Sequence, residues 1–430
     1  MAGVVSAEPS HTATLAVETD AQVADAVQAA MAERAPVEVR GGGSKCRFGR
    51  PVEAASCLDT GALAGIVSYQ PEELVLTARP STTVAEIVQS LTPHCQMLAF
   101  EPPDWIPLLS GCTDVPGNAG GTLGGIVASN LSGPRRIRAG AARDHVLGFR
   151  AVSGRGESFK GGGRVVKNVT GFDLPKLLTG SFGTLAVMTE VTVRVLPAGE
   201  RTQTLLVLDC AEDCAIRAMT AALQSPYDVS GAAHLPPDVA ALSRVPAVAT
   251  AAAGVTAVRI EGPAPSVSSR LQALRATLAR FGALAALDDA ESDTLWREIR
   301  DVTYFVAAGD EPDPRQVWRL SVPPAEGARV VAEILFALPG QAFFDWGGGL
   351  IWLALKRTDD AGQAAVRGAL ASGAGTACGH ATLVRADASV RSRVPVFQPQ
   401  PEPLAALTRR VKAGFDPKGV LNPGRMYEGV

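Results

Sequence analysis

The chain of 430 residues is long enough for two or three domains, and 47% hydrophobic with 19% charged residues is typical of a globular protein. Its formal net charge of −3, without any block of Lys or Arg, argues against nucleic-acid binding. The seven cysteines form no C-x-x-C pair, so we expect free thiols in a reducing compartment and no bound metal. No secretory signal or membrane-spanning stretch is evident, and we expect a cytoplasmic protein.

The chain begins with a predicted helix over residues 19–34, which Thr19 or Asp20 can cap and whose apolar face carries Val23, Val27 and Met31. A short strand over 36–40 follows and runs into Gly41-Gly42-Gly43-Ser44-Lys45. Three glycines directly after a strand can expose backbone N–H groups to an anion such as phosphate. The alternative is an ordinary glycine turn.

The next pair of elements is a strand over 74–80 and a helix that Thr82 or Thr83 can cap. The apolar pattern of this helix predicts that Val84, Ile87, Val88 and Leu91 are buried.

A glycine-rich segment, VPGNAGGTLGGIVASNLSG, occupies residues 115–133. Glycine at this density allows close approach of a backbone to a ligand, and bare N–H groups favour phosphates. Neither G-x-G-x-x-G nor G-x-x-x-x-G-K-[ST] occurs in the chain, so the Rossmann and P-loop folds lose their main support. We therefore expect a diphosphate-containing ligand bound by another architecture.

Strands are predicted over 146–154 and 164–171, then a short helix over 172–178. Residues 183–197 form a further predicted strand, which alternates from Thr189 onward as a strand with one solvated face would. Pro197 is expected to end the first domain.

The next 200 residues predict two β-α-β-β-α-β repeats in an α+β sheet with helices on one face. The predicted strands include 204–208, 257–262, 317–323 and 381–386, a hairpin spans 343–356, and the helices cover 212–224, 266–281, 325–337 and 360–371. A basic helix over 402–413 and a β-turn at Asp416-Pro417-Lys418-Gly419 follow.

Four stretches, in order, resemble the flavoproteins of the vanillyl-alcohol-oxidase superfamily, and within it most closely the FAD-binding E subunits of bacterial glycolate oxidases. They are VRGGGSK (39–45), PGNAGGTLGGIVASNLSGPRRIRAGAARDHVLGFRAV (116–152), KNVTGFDLPKLLTGSFGTLAVMTEVTVRVLP (167–197) and FDPKGVLNPGRMY (415–427). The resemblance implies a PCMH-type FAD-binding domain of two α+β subdomains over 1–197. It also implies a ferredoxin-like α+β cap domain over 198–399 and a C-terminal segment, 400–430, that returns to the FAD domain.

The resemblance also assigns residues to the cofactor. The first turn would surround the FAD pyrophosphate, the second stretch would meet the diphosphate, the ribityl chain and the isoalloxazine, and the third would meet the flavin or adenine end. The assigned residues are Gly41, Gly42, Gly43, Ser44, Lys45; Pro116, Gly117, Gly120, Gly121, Thr122; Ala128, Ser129, Asn130, Ser132, Gly133; and Gly183 and Val187. The alternative for the glycines is turn geometry alone.

One position departs from the family pattern. Members that bind FAD covalently carry His after the glycines of the first turn, where this chain has Ser44. We therefore expect non-covalent FAD. Cys46 as a flavin tether is the less favoured alternative, since a small loop residue explains it as well.

Catalytic residues are harder to assign. Oxidation of a 2-hydroxy acid needs a base for the hydroxyl proton and a cation for the carboxylate. The catalytic members of the superfamily carry clustered histidines in the second domain, whereas this chain offers only His234 and His380 there. His380 is a weak candidate base, and Arg319, Lys356 and Arg385 are candidate carboxylate ligands; structural or solvated roles are the alternative for all four.

Three functions remain open. In the first, the chain is an accessory subunit of a glycolate oxidase, beside a catalytic FAD subunit and an iron–sulfur subunit that would bring it to the inner face of the membrane. In the second, it is a self-sufficient FAD-dependent 2-hydroxy-acid dehydrogenase that uses His380. In the third, it is a structural subunit.

Overall fold

The structure is a computed structural model that describes residues 13–113, 121–163, 171–372 and 379–430. The strands of the first part of the chain are β1 (Ala13–Ala16), β2 (Val37–Arg40), β3 (Ser56–Asp59), β4 (Ile66–Gln70), β5 (Val75–Ala78), β6 (Gln96–Met97), β7 (Val146–Ser153), β8 (Ser158–Gly162), β9 (Ala186–Arg194) and β10 (Leu196–Pro197). The helices there are α1 (Asp20–Glu33), α2 (Val84–Leu91), α3 (Ile106–Ser110), α4 (Leu123–Ser129), α5 (Arg136–Ala139), α6 (Ala142–His145) and α7 (Leu174–Leu178).

Two sheets organise this part. A three-stranded parallel sheet has the order β1-β3-β2, and a five-stranded antiparallel sheet has the order β4-β5-β9-β7-β8. Helix α1 forms as predicted: the Thr19 hydroxyl accepts the N–H of Gln22 at 3.2 Å, and Val23 and Val27 are buried. The two sheets with their helices are the two α+β parts that the family resemblance implies.

Two details of the sequence prediction are wrong. Val88 is 46% exposed, because Ile87 and Leu91 define the buried stripe of α2 and Val88 lies one position further round the helix. The polar face of β9 is only partly solvated: Thr192 is buried, with its hydroxyl hydrogen-bonded to that of Thr77 at 2.9 Å, while Glu190 and Arg194 are half-buried. The strand predicted over 164–171 falls, apart from its last residue, outside the described residues.

The second part of the chain forms one eight-stranded antiparallel sheet of order β14-β11-β13-β12-β16-β17-β15-β18. Its strands are β11 (Arg201–Leu208), β12 (Val229–Leu235), β13 (Val255–Gly262), β14 (Ala283–Leu287), β15 (Gln316–Ser321), β16 (Gly340–Asp345), β17 (Leu350–Leu355) and β18 (His380–Arg385). Its helices are α8 (Glu212–Leu223), α9 (Pro237–Ala240), α10 (Pro246–Ala249), α11 (Ala264–Leu278), α12 (Asp289–Asp301), α13 (Gly327–Ala337), α14 (Gln363–Ala371) and α15 (Ala388–Arg393).

The sheet consists of two β-α-β-β-α-β repeats in tandem, which confirms the predicted α+β class. Each half has the same order of its own four strands, and the halves meet where His234 of β12 pairs with Phe344 of β16. One face of the sheet packs on α8, α11, α13 and α14 through residues such as Ile260 and Leu353. The opposite face, with Phe343 and Trp352, shares a core with the first part of the chain.

The last helix, α16 (Glu402–Phe415), is followed by a segment that returns to the parallel sheet. The N–H of Val37 donates to Val420 O at 2.8 Å, and the N–H of Asn422 donates to Val37 O at 3.1 Å. The predicted turn is present, with the N–H of Gly419 donating to Asp416 O at 3.2 Å. The division of the chain at residues 197 and 399 stays a prediction. Of the helices described, none is long and apolar enough to cross a bilayer.

Candidate functional site

A cleft lies where the turn after β2 (residues 41–45), helix α4, residues 182–188 and the C-terminal segment meet. About 810 Å³ of space, part of it open to solvent, lies between its walls. The lining residues are Glu38, Val39, Arg40, Gly41, Gly42, Gly43, Ser44, Lys45, Cys46, Thr60, Pro80, Ser81, Thr122, Gly124, Gly125, Ala128, Ser129, Phe182, Gly183, Ala186, Val187, Met188, Asn422 and Arg425. Four stretches that are far apart in the sequence therefore share one site.

The turn after β2 forms one wall and has the properties of an anion-binding turn. Gly43 has φ +72°, and a Cβ added to Gly41 would lie 2.9 Å from the Ser81 hydroxyl oxygen. Within the described part of the chain, the backbone N–H groups of Gly43, Ser44 and Lys45 donate to no protein acceptor. A short run of such N–H groups fits a phosphate.

Helix α4 forms the opposite wall. The Thr122 hydroxyl accepts the N–H of Gly125 at 3.3 Å and caps the helix. Gly124 donates its N–H to Pro80 O at 2.7 Å, and a Cβ added to Gly124 would lie 2.6 Å from the Cβ of Pro80. Only glycine permits this approach, which places the start of α4 at the cleft.

Lys45 supplies a cation between these walls. Its Nζ donates to the Ser44 hydroxyl at 3.0 Å, and a Cβ added to Gly121 would lie 2.7 Å from the same Nζ. Burial lowers the pKa of Lys45 to about 8, against the opposing charge of Asp104. An anion bound in the cleft would favour the protonated amine.

The C-terminal segment closes the cleft through two residues that the sequence reasoning did not assign. Asn422 accepts the N–H of Val39 at 2.8 Å and donates to Phe182 O at 2.8 Å, so it links β2 to the turn at Gly183. The Arg425 guanidinium donates to Lys45 O at 2.8 Å and to Cys46 O at 3.0 Å. Both residues belong to LNPGR in the fourth stretch of the resemblance, which is the signal by which the sequence could have identified them.

Most of the predicted cofactor residues meet in the cleft, and some do not. Those that line it are Gly41, Gly42, Gly43, Ser44, Lys45, Thr122, Ala128, Ser129, Gly183 and Val187, and Gly121 lies beside Lys45. Pro116, Gly117 and Gly120 lie outside the described residues.

The three remaining residues have contacts elsewhere. The side-chain oxygen of Asn130 accepts the N–H of Arg143 at 3.1 Å, and the Ser132 hydroxyl accepts the N–H of Ala142 at 2.8 Å. Gly133 O accepts the indole N–H of Trp346 at 3.1 Å. These contacts fix the chain after α4 and link it to the eight-stranded sheet.

The two histidines of the second part differ in environment. His234 is buried, its Nδ1 is 2.9 Å from the Thr256 hydroxyl, and burial lowers its pKa to about 4, as expected of a structural histidine. His380 is exposed at the start of β18; desolvation lowers its pKa, and the positive charges of Arg319 and Arg136 lower it further.

Of the candidate carboxylate ligands, Arg385 donates to Phe305 O at 2.7 Å and Leu108 O at 3.0 Å, which commits it to the core. Lys356 is exposed after β17. Within the four described ranges, no three His, Cys, Asp or Glu side chains converge where a metal ion would bind.

Comparison with known proteins gives the class. Residues 12–162 match the family model described as FAD binding domain. The fold is similar to that of p-cresol methylhydroxylase, with a TM-score of 0.67 at 14% identity, covering 96% of this chain and 89% of that one. With the cleft described above, the chain is an FAD-dependent oxidoreductase with a PCMH-type FAD-binding fold, as the sequence predicted.

The particular family follows from a longer match. Over 403 residues the chain is 31% identical to glycolate oxidase subunit GlcE of Escherichia coli, covering 93% of this chain and 95% of that protein. It is also 30% identical over 176 residues to glycolate oxidase subunit GlcD of Bacillus subtilis, covering 41% of this chain and 35% of that one. The chain belongs to the family of glycolate oxidase subunit GlcE.

Proposed function

We propose that this chain is the FAD-carrying accessory subunit of a complex that oxidises glycolate to glyoxylate. It would work beside a catalytic FAD subunit and an iron–sulfur subunit, which would hold it at the inner face of the membrane. The observation that carries the proposal is the cleft, which brings together residues 41–45, 122–129, 182–188 and the pair Asn422 and Arg425. The same stretches carry the family resemblance.

The residues present fit FAD. The N–H groups of Gly43, Ser44 and Lys45, with the Lys45 amine, would hold the diphosphate, and Gly183 and Val187 would lie along the remainder of the cofactor. Bound FAD would supply a two-electron acceptor. In this proposal residues 1–197 and 400–430 together hold the cofactor, and residues 198–399 cover it.

Binding is proposed to be non-covalent, because Ser44 stands where covalent members carry His. Acid precipitation of the purified chain is expected to release all of its flavin into the supernatant. Flavin that remains with the precipitated protein would contradict this, and loss of that retained flavin in a Cys46→Ala variant would identify Cys46 as the tether.

A matched glycine pair tests whether FAD occupies this cleft. Gly183 (φ +69°) and Gly419 (φ +64°) have the same left-handed backbone, so alanine strains both by about 1–2 kcal/mol. Only at Gly183 would the new Cβ also press on Asn422, at 2.7 Å from its Nδ2. We expect Gly183→Ala to lower the flavin content and Gly419→Ala to keep it; equal flavin content in the two variants would contradict the assignment.

The accessory role is tested on the chain purified alone. It should show a flavin absorbance spectrum, and anaerobic glycolate should not bleach it, whereas the co-expressed complex should turn over. Reduction by glycolate would instead support the self-sufficient dehydrogenase, for which the position of His380 beside Arg319 is the favouring observation. A colourless chain that cannot be reconstituted with FAD would support the structural subunit.

A further inference from the structure

Trp346 lies in the loop between β16 and β17, at the boundary between the eight-stranded sheet and the first part of the chain. It is buried, and its indole N–H donates to Gly133 O. Two guanidinium groups lie over its ring: the Cζ of Arg136, from α5, is 4.2 Å from the ring centroid and that of Arg319, from β15, is 5.0 Å. Two positive charges from different parts of the molecule therefore meet at one aromatic side chain.

In the described part of the chain neither guanidinium forms an ion pair: Asp144 and Asp345 act on Arg136 and Arg319 only from beyond ion-pair distance. Among the residues that the structure describes, no hydrogen-bond acceptor and no carboxylate at ion-pair distance meets Arg136 or Arg319. Their neighbours Arg135 and Arg259 are paired with Glu261 and Glu101. Asp345 is the acidic residue whose charge acts on Arg319. Its carboxylate, however, accepts the backbone N–H of Trp346 at 2.7 Å.

The contact with Trp346 does not by itself compensate these charges. A cation–π contact contributes about 0.5–2 kcal/mol; the half-buried Arg319 has lost part of its hydration, whereas Arg136 is exposed to solvent. Burial, together with the positive charge of Arg136, lowers the pKa of Arg319 to about 10. An anion between or beside the two groups would offset both effects.

The surroundings of Arg319 indicate which anion. Strand alternation and the β15–β18 register place Ser321, Thr382 and His380 on the same face as Arg319, with Arg319 opposite Thr382 and Ser321 opposite His380. Hydroxyl and imidazole groups thus lie beside the cations, and they suit a ligand that carries a hydroxyl next to its carboxylate.

A chain of packed aromatic rings leads from this face to the cofactor cleft. Trp352 is opposite Arg319 in the β15–β17 register, and its ring is 5.2 Å from that of Trp105. Trp105 is 5.7 Å from Phe48, which is 5.1 Å from Phe182 in the wall of the cleft.

We propose that Arg136 and Arg319, over Trp346, bind the carboxylate of a short 2-hydroxy acid. The accessory subunit would then hold a substrate-type ligand of its own without being the chain that oxidises it. The assignment of a carboxylate stands on the two guanidiniums alone. The assignment of a 2-hydroxy acid uses the hydroxyl and imidazole groups beside them and rests on the function proposed above.

The test is isothermal titration of the full-length chain with glycolate, and with glycolamide as its uncharged analogue. Glycolate should bind and glycolamide should not. Arg136→Met and Arg319→Met should each weaken glycolate binding by about tenfold or more, the effect of losing one charge-assisted hydrogen bond. Arg319→Lys should lie in between, because it keeps the charge and loses the planar fork.

Arg357→Met is the matched control. Arg357 forms an exposed ion pair with Asp387, and its replacement removes the same single positive charge. The proposal is overturned if wild type does not bind glycolate, or if all three methionine variants bind as wild type does. Equal weakening by Arg357→Met would also overturn it, because that result indicates non-specific attraction. Arg136 is exposed, so its variant remains informative if Arg319→Met does not fold.

The flavin spectrum of the same samples separates this inference from the proposed function. A yellow chain that does not bind glycolate contradicts the carboxylate site only. A colourless chain that binds glycolate, with loss in Arg319→Met, contradicts the FAD assignment only.

Discussion

At the scale of single residues, the informative side chains are those whose charge is costly where they lie. Lys45 is one: burial lowers its pKa to about 8, yet it lies at the turn where a diphosphate would bind. The protonated amine binds an anion better than the neutral amine does. FAD binding should therefore be coupled to protonation of Lys45.

This coupling predicts a pH-dependent affinity for FAD. Below a pH of about 8 the free chain already carries the proton, so the affinity should be constant. Above it the affinity should fall, by roughly tenfold between about pH 7 and pH 9, because about one tenth of the free chain is protonated at pH 9. Titration of the apoprotein with FAD, followed by flavin fluorescence, measures this.

Two variants check the assignment of that pH dependence. Lys45→Arg should bind FAD with nearly constant affinity over the same range, because arginine stays protonated. Lys45→Met should bind FAD more weakly at pH 7, and its affinity should also be nearly independent of pH over this range. If Lys45→Arg retains the wild-type slope, another group is responsible.

Asp345 is the opposite case: burial favours the neutral, protonated form of its carboxyl group. Burial raises its pKa to about 7, so the folded protein retains a proton that the unfolded chain releases near its ordinary pKa. The resulting stability is complete at low pH and is lost as the pH rises through about 7. Asp345→Asn keeps an acceptor for the N–H of Trp346 and removes the charge.

The variant should therefore gain stability relative to wild type, and the gain should be larger at pH 8 than at pH 5. Urea unfolding at the two pH values, with tryptophan fluorescence as the signal, measures the difference. A pH-independent difference would mean that Asp345 does not change protonation on folding.

At the scale of elements, the sequence predicted what local chemistry determines. Thr19 and Thr83 cap their helices, and the tandem β-α-β-β-α-β pattern gave the strands and helices of the sheet, because capping and periodicity act over a few residues. The prediction failed at Val88 and Thr192, where burial depends on which neighbours cover an element. Residues of the cleft that contribute through distant contacts, such as Asn422, gave no local signal beyond the resemblance.

Helix α4 offers a test at this scale. Gly124→Ala would place a methyl group against Pro80 and displace the start of the helix from the cleft, so stability should fall by about 1–3 kcal/mol, the cost of overpacking, and FAD affinity with it. Gly414→Ala in α16 has open space at its Cβ, and it should stabilise the protein by about 0.5–1 kcal/mol with FAD affinity unchanged. Unfolding and FAD titrations on both variants would contradict this account if Gly124→Ala behaved like Gly414→Ala.

At the scale of the whole molecule, a buried ionic cluster joins the first part of the chain to the eight-stranded sheet. Arg259 of β13 donates to both carboxylate oxygens of Glu101, at 2.9 and 3.0 Å, and Arg135 donates to Glu261 at 2.9 and 2.8 Å. Burial by itself would raise the pKa of Glu261, but the guanidiniums of Arg259 and Arg135 outweigh this effect and hold that pKa well below its usual range. Glu101 and Arg259 lie 158 positions apart in the chain, and no local pattern in the sequence predicts their pairing.

Removing one member of this cluster should loosen the contact between the two parts. Arg259 is 2% exposed and Glu101 is 10% exposed, so Arg259→Met would leave a largely buried carboxylate without its main partner. The expected loss is about 3–5 kcal/mol in the free energy of unfolding, since a buried charge without its partner is strongly destabilising. Arg409→Met breaks an exposed pair with Glu402 and should cost no more than about 1 kcal/mol. Urea unfolding gives both values, and adding Glu101→Gln to Arg259→Met should recover part of the loss. If Arg259→Met cost no more than Arg409→Met, the cluster would not be what holds the sheet against the cofactor-binding part of the chain.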